Sequence, residues 1–365
     1  MKKIICYIDM FGRGGAQRVM SNLVRYFHEK GYEVILVNDF IRDEALPHYE
    51  VPAEVKREYL RRARAGLPVV KQIQRACRLV KVIRKHNPDI VLSFLGRPNI
   101  IALLAGRLVK TPIVVSVRND PNREYGAGAA KKWFANLLFR RANGVVFQTE
   151  DAAKYFSEKI RSRSRIILNP VDRAMYSDAD IYERRDIITL GRMEPQKNHK
   201  MLIDAFHKIA DQYPGENLYI YGVGRLMGQT ETYVAQKGLQ DRVLLPGNIA
   251  NVKQALCNAK LFVLSSDYEG LPNALMEAMA TATPAISTDC PCGGPRTLIQ
   301  SQEQGVLVPV GDTDALAGAM NELLADDARR ELMGAEARKR ADAFCDSVVY
   351  EQWEAYFLEI LGNNP

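Results

Sequence analysis

Two glutamates eight positions apart, Glu269 and Glu277, stand in the stretch SSDYEGLPNALMEAMA at residues 265–280. Two carboxylates in one short stretch could form an acid/base pair, a metal site, a ligand clamp or ordinary surface charge. The surrounding residues narrow this. The apolar run LFVLSS reads as a buried strand ending just before Glu269. Leu271, Ala274, Leu275, Ala278 and Met279 recur at helical spacing and make a core stripe, and Pro272 suits a helix's first turn. Asn273 and Glu277, four apart, then share a face off that stripe. Glu269 and Gly270 precede the helix at the strand tip. The first N–H groups of the helix, around Leu271, Pro272 and Asn273, favour an anion there. A phosphate at the helix start and a diol held by Glu277 satisfy this pattern. So does the plainer reading, in which Glu277 complements the helix dipole and Glu269 is a loop charge.

A second cluster is GRMEPQKN, residues 191–198. A strand ends at Leu190, Gly191 and Arg192 lie just past it, and a helix is expected from about Pro195. Its stripe is Met201, Leu202, Ala205, Phe206 and Ile209, and Lys197 prolongs that stripe into the first turn. A cation there opposes the helix dipole, and a bound diphosphate would reverse the sign. Arg192 and Lys197 together match a diphosphate's charge, with a solvated surface pair as the alternative. Gly14 and Gly15 follow the first strand and let a phosphate or sugar approach the backbone. Gly222 and Gly224 follow NLYIY, but the next glycine, Gly228, comes one position late for a dinucleotide fingerprint. Asp178 and Asp180 form a D-x-D within a polar segment and read as coincidence. The five histidines form no metal-binding pattern.

These residues need a frame to hold them. Short apolar runs alternate with helical patterns from end to end. KIICYID, EVILVND, DIVLSFL, PIVVSVR, GVVFQT and RIILN come first, then DIITL, NLYIYG, RVLLPG, LFVLSS, PAIST and GVLVPV. Nearly continuous apolar strands separated by amphipathic helices imply an α/β fold with parallel sheets buried on both faces. At 365 residues, two domains are expected. The polar stretch 169–186 reads as the linker, giving a first Rossmann-like domain at 1–177 and a second at 183–346. The helical segment 347–362 is free to pack back on the first. Two such lobes facing each other place a ligand cleft at the carboxyl ends of their strands.

Composition excludes several classes. No run of about 18 apolar residues is present, and the stretch 99–110 is broken by Arg107. The opening Met-Lys-Lys and apolar run resemble a leader, but Asp9 and Arg13 interrupt it, so a buried first strand and a cytosolic protein are expected. Six scattered cysteines read as reduced, buried or partly buried thiols. The net charge of +7 is concentrated: residues 54–86 hold eleven cations against two glutamates, leaving the rest of the chain net negative.

Gly191-Arg192 with Lys197-Asn198, then Gly222 and Gly224, Gly247 in LLPGN, and EGLPNALMEAMA resemble, in this order and spacing, the retaining GT-B glycosyltransferases of family 4. GRGGAQRV at 12–19 is similar to that family's N-terminal loop, and PCGGPRTLI at 291–299 with GVLV at 305–308 is similar to its closing segment. The resemblance covers nearly the whole chain. It implies transfer of a hexose or N-acetylhexosamine from a UDP-sugar, with retention at the anomeric carbon and without a divalent metal or other cofactor. It also implies roles: Glu277 on the ribose hydroxyls, Arg192 and Lys197 on the departing diphosphate, Glu269 beside the donor sugar. The donor-binding set becomes Gly14, Gly15, Gly191, Gly222, Gly224, Gly247, Gly270, Leu271, Pro272, Asn273 and Glu277. Where many members carry a histidine near the reacting sugar, this chain has Arg118, Asn119 and Asp120, the candidates for the acceptor or donor-sugar region. Gln17 stands where an acid is common.

The basic segment has three readings: a solvated helical face, a nucleic-acid site without any recognisable module, or a contact with anionic lipid. The third joins Arg61, Arg62 and Arg64 to the apolar residues Leu67, Val69, Val70, Ile73, Leu79, Val80 and Ile83. It suits an acceptor saccharide carried on a polyprenyl diphosphate, in surface-polysaccharide or glycan assembly at the inner face of the cytoplasmic membrane. No nucleic-acid partner is expected. Two other readings share the fold: a nonhydrolysing sugar-nucleotide epimerase, and a catalytically silent nucleotide-sugar-binding protein.

Overall fold

Seven parallel strands form one sheet and six form another, in a computed structural model that describes residues 2–12, 14–40, 49–60, 67–176 and 184–362. The first sheet contains β1 (Lys3–Tyr7), β2 (Glu33–Asn38), β3 (Lys56–Tyr59), β4 (Ile90–Phe94), β5 (Ile113–Ser116), β6 (Gly144–Phe147) and β7 (Ser164–Ile166). The second contains β8 (Arg185–Leu190), β9 (Leu218–Tyr221), β10 (Val243–Gly247), β11 (Ala259–Leu264), β12 (Ala285–Thr288) and β13 (Val306–Val308). The chain divides into two compact units, one of residues 1–169 with 349–365, the other of residues 170–348. This division falls at the start of the polar stretch 169–186 that the sequence marks as the linker.

The strand orders are β3-β2-β1-β4-β5-β6-β7 and β10-β9-β8-β11-β12-β13. Both run outward from a central pair in opposite directions, the doubly wound arrangement of Rossmann-like domains. The strand order reverses between β1 and β4 in the first unit and between β8 and β11 in the second. Open α/β sheets bind ligands in the crevice outside the carboxyl ends of such a pair. The apolar runs were legible because these strands are buried: β4, β5, β6 and β12 are buried at every position. β3, with the sequence KREY, was not anticipated. It is an edge strand whose residues are exposed or half-buried, so charge rather than apolar pattern marks it.

The helix Asp346–Gly362 belongs to the first unit from Val349 onward. Its buried side is Val349, Trp353, Tyr356, Phe357 and Ile360. Phe357 stacks on Phe27 at 5.3 Å, and the Tyr356 hydroxyl accepts a hydrogen bond from the Val145 amide at 3.0 Å. Glu354 accepts from the hydroxyls of Tyr26 and Tyr32, each at 2.9 Å, and burial followed by that carboxylate pushes the Tyr32 phenol up to about 12. The second unit's core gathers Met193, Leu202, Phe206, Leu218, Ile220 and Met320 between sheet and helices.

Candidate functional site

β8 and β11 are hydrogen-bonded neighbours, and the two sequence clusters begin at their carboxyl ends. Residues 191–198 follow β8 and residues 265–270 follow β11, so the reversal point of the second sheet brings them together. Asp267 N donates to the Gln196 carbonyl at 2.8 Å, and Ser265 Oγ donates to the Lys197 carbonyl at 2.9 Å. Asn198 Nδ2 donates to Asp267 Oδ1 at 2.7 Å.

On this base Lys197 Nζ meets Glu269 Oε1 at 2.5 Å. Ser266 Oγ donates to the same oxygen at 2.7 Å, and Gln196 Nε2 reaches the Tyr268 carbonyl at 2.8 Å. The paired side chains are 17% and 10% exposed, so the ion pair is largely shielded from water. Its reach depends on a break in the chain. A short 3₁₀ turn covers Pro195–Lys197, Asn198 adopts left-handed φ 44° and ψ 48°, and the α-helix His199–Ile209 starts only after it. Lys197 therefore does not sit in the first turn of that helix, as the stripe suggested; the left-handed residue separates the two turns. Asn198 Oδ1 then caps the helix by accepting from Met201 N at 3.2 Å. The expected stripe itself, Met201 to Ile209, is buried.

Arg192 is exposed, and among the described residues no carboxylate lies within 4 Å of it. His199, buried beside this cluster, has its imidazole pKa pushed down to about 4, first by burial and then by the charge of Lys197. Cys290 is fully buried; burial, then the nearby Glu269 carboxylate, raises its thiol to about 12.

The glycines hold the loops close. Gly222 has φ +131°, and a Cβ there would lie 2.0 Å from the Gly191 carbonyl oxygen. A Cβ on Gly224 would meet the Met193 carbonyl oxygen at 2.4 Å. The Gly222 amide donates to the Gly247 carbonyl at 2.7 Å, joining the β9 and β10 ends, and the Met193 amide donates to the Val223 carbonyl at 3.1 Å, tying β9's end to the Arg192 loop. Gly294 lets the 290–294 segment press against Gly270, whose oxygen would be 1.9 Å from an added Cβ.

The helix carrying Glu277 spans Asn273–Ala280, with Pro272 at its N-cap rather than within its first turn. Leu271 and Pro272 are buried and Asn273 is half-buried. Glu277 is 7% exposed, not on a solvent face as the stripe implied, because Met276 and Ala280 are buried as well. A helix buried nearly all round shows no clean amphipathic period. A buried glutamate in it acts as a specific polar contact, since an unpaired one would be costly. Ser266, Asp267 and Gln196 were not singled out by sequence reasoning, and Asn198 entered only as part of the Lys197-Asn198 motif. Their signal was available in two polar runs, one directly after each strand.

A cavity of about 500 Å³ opens beside Asp267, bounded by Asp289, Pro291, Leu307 and Val310. Another of about 330 Å³ opens beside Asn198, bounded by Ile203, Leu226 and Tyr233. Among the described residues no group of three or more His, Cys, Asp or Glu is placed to hold a metal.

The remaining predicted residues lie in the first unit. Gly14 is extended at φ −161° and caps the helix Gly15–Glu29. Asp120 caps the short helix Pro121–Glu124, accepting from Asn122 N at 2.9 Å, and Asn119 accepts from the Asp120 amide at 2.9 Å. Arg118 differs. It is 7% exposed, lies 4.5 Å over the Phe94 ring and donates to Asn169 Oδ1, yet among the described residues no carboxylate is within 4 Å. Burial pulls its pKa down to about 9. Among the described residues its Nε and the buried atoms Ser93 Oγ, Asn99 Oδ1 and Gln148 Oε1 have no hydrogen-bond partner. These residues gather around the carboxyl ends of β4, β5 and β6, a polar cluster suited to a hydroxyl-rich anionic ligand.

The basic segment is not a uniform cationic face. Arg75 is buried and reaches Asp39 at 3.4 Å, where Arg97 bridges Asp39 and Asp9 at 3.2 and 3.1 Å. Lys56 pairs with Glu33, and Lys85 with Glu58. Leu79, Val80 and Ile83 are buried in the core rather than turned to lipid, while Leu67, Val69, Val70 and Ile73 are exposed. Arg61, Arg62, Arg64, Asp178 and Asp180 lie outside the described residues. Cys77 is exposed, against the expectation of buried thiols. Among the described residues no helix is long and apolar enough to cross a membrane.

Two family models match the chain: "Glycosyltransferase Family 4" over residues 13–174 and "Glycosyl transferases group 1" over residues 178–340. A Campylobacter jejuni protein named N-acetylgalactosamine-N,N'-diacetylbacillosaminyl-diphospho-undecaprenol 4-alpha-N-acetylgalactosaminyltransferase is 28% identical, over 94% of this chain and 96% of its own. A second from that organism, GalNAc-alpha-(1->4)-GalNAc-alpha-(1->3)-diNAcBac-PP-undecaprenol alpha-1,4-N-acetyl-D-galactosaminyltransferase, is 27% identical over 99% of each chain. Among solved structures, Anabaena HepE in complex with UDP superposes with a TM-score of 0.80 at 17% identity, over 98% of this chain and 100% of its own.

Proposed function

The chain belongs to the GT-B glycosyltransferases, family 4 in its first half and group 1 in its second, and from that membership we propose a specific reaction. It moves a hexose or N-acetylhexosamine from a UDP-sugar to a saccharide carried on a polyprenyl diphosphate, with retention and without a metal. The cluster of Arg192, Lys197 and Glu269 at the β8–β11 reversal point carries this reading. Two relatives that match over nearly their whole length are named for undecaprenol-linked acceptors, and the fold neighbour HepE was solved with UDP.

In the proposed reaction the bond between the anomeric carbon and the UDP oxygen breaks, and the acceptor hydroxyl oxygen takes its place on the same face. The hydroxyl proton passes to the departing phosphate oxygen. Arg192 and Lys197 meet the charge that develops on that phosphate, the preorganised electrostatic stabilisation on which such transfers depend. Glu269 sits where it can accept from donor-sugar hydroxyls, and Glu277 takes the ribose hydroxyls. A lipid-linked acceptor brings the enzyme to the inner face of the cytoplasmic membrane. The exposed Leu67, Val69, Val70 and Ile73, beside the basic run, serve that contact.

The test is transfer from a panel of UDP-sugars to a synthetic polyprenyl-diphosphate saccharide, with and without EDTA, reading product configuration by NMR. A product with the donor's anomeric configuration, formed in EDTA, is expected. Inversion, EDTA sensitivity, or change of the sugar nucleotide without an acceptor would each overturn part of the assignment.

A further inference from the structure

The helix Ala129–Phe139 reads AAKKWFANLLF, and only Ala135, Leu138 and Phe139 of it are buried. Trp133 is 67% exposed, Phe134 52% and Leu137 36%. Their spacing puts all three on one side of the helix. Single exposed apolar residues are common; two aromatic rings and a leucine on one exposed face mark a contact surface. Lys131, Lys132, Arg140 and Arg141 are exposed around them. Phe134 also borders a cavity of about 310 Å³ whose other walls include Ile100, Ala130, Leu138 and Phe139.

We propose that this helix face docks on an anionic lipid bilayer, with Trp133, Phe134 and Leu137 entering the headgroup–acyl boundary and the four cations meeting the phosphates. The proposal rests on the reading that the acceptor is lipid-linked. Charge decides for lipid: the patch is ringed by cations, and an aromatic-plus-basic helix of this kind lies in the membrane interface. The fold supplies a second argument. The connections β3 to β4, β4 to β5 and β5 to β6 all step across the sheet in one direction. Right-handed crossovers therefore place the helices Pro68–His86, Gly96–Ala105 and Ala129–Phe139 on one face. The middle helix packs against the other two. The exposed Leu67, Val69, Val70 and Ile73 at the start of the first helix thus share a face of the sheet with Trp133, and one bilayer can take both groups. Charge counting along the sequence overlooked this helix because its cations are few and its aromatics look like core.

The chain holds two tryptophans, and the other, Trp353, is fully buried. A change in tryptophan emission on vesicle binding therefore reports on Trp133, against a constant contribution from Trp353. The experiment mixes the full chain with phosphatidylglycerol/phosphatidylcholine vesicles, or with phosphatidylcholine alone, each with and without acyl-brominated lipid. Blue-shifted emission quenched by bromolipid is expected with the anionic vesicles only. W133F should still float with vesicles but lose the quenching. F134S with L137S should weaken vesicle binding tenfold or more and leave transfer to a water-soluble saccharide acceptor within twofold. Vesicle-bound protein with unquenched emission, or no vesicle binding, would overturn the proposal. So would a dimer that F134S with L137S dissociates, since a second copy would then cover the patch. None of these readouts uses the lipid-linked acceptor, so failure of the acceptor assignment is seen separately.

Discussion

Lys197 Nζ lies 2.5 Å from Glu269 Oε1, and the two residues reach that contact from the ends of neighbouring strands β8 and β11. With the side chains 17% and 10% exposed, neither charge is well solvated, and removing one strands the other. Breaking such a pair costs more than the pair contributes. Lys197→Ala and Glu269→Ala should each lower stability by about 1–3 kcal/mol, and the double variant should lose less than the sum. Turnover should fall roughly 100-fold or more in each, as when one preorganised donor is lost. Urea unfolding and single-turnover assays on all three proteins check this; strictly additive stability losses would deny the coupling.

Arg192 gives the opposite signature. Its side chain is exposed with no carboxylate within 4 Å among the described residues, so folding gains little from it. Arg192→Ala should leave stability within about 0.5 kcal/mol while turnover falls at least as far as in Lys197→Ala. A thermal melt paired with steady-state kinetics separates the two effects, and near-normal turnover would remove Arg192 from the diphosphate site.

Arg118 carries a buried charge that feels the Glu124 carboxylate but, among the described residues, makes no ion pair within 4 Å; beside it three other buried polar atoms find no hydrogen-bond partner among those residues. Supplying an anionic or hydroxyl-rich ligand would satisfy them. Arg118→Lys keeps the charge but loses the planar fork on Phe94. Both it and Arg118→Gln are expected to raise the acceptor KM about tenfold and leave UDP affinity, measured by calorimetry, unchanged.

Much of this was legible beforehand for a physical reason. Parallel strands buried on both faces are nearly continuously apolar, so β4, β5 and β11 announce themselves, and the loops after β8 and β11 at the reversal point become the candidate ligand site. The pattern failed where burial and charge part company. β3 is an exposed edge built from KREY, and Glu277 is a buried acid on a helix buried nearly all round. Lys197 was assigned to a helix that Asn198 had not yet begun, because a left-handed residue leaves no mark on apolar spacing. Arg75 counts as surface charge in the sequence and is an internal partner of Asp39 in the fold.

Gly224 tests the loop packing behind Arg192. A Cβ there would lie 2.4 Å from the Met193 backbone oxygen, and backbone cannot rotate away as a side chain can. Gly224→Ala should therefore cost about 1–3 kcal/mol. It should also weaken UDP binding more than ten-fold by displacing the Arg192 loop. Gly228→Ala, in the helix Met227–Gln236 where an added Cβ meets no described residue within 4 Å, is the matched control and should be neutral or stabilising by up to about 1 kcal/mol.

His199 sets a pH dependence with a definite sign. In the folded protein its pKa is pushed down to about 4, by burial first and Lys197 second; in the unfolded chain it returns to roughly 6.5. Between those values the unfolded chain binds a proton that the folded protein does not. Stability from this group is therefore fully present above about pH 6.5, falls as the pH drops, and levels off below about 4, a span of at most ~3 kcal/mol. His199→Gln should flatten this part of the stability curve. Lys197→Ala removes one of the two causes, so the His199 ring resonances should titrate at a higher pH in that variant. Urea unfolding from pH 4 to 8 and NMR of the imidazole protons measure both, and an unshifted titration in Lys197→Ala would show that burial alone sets the value.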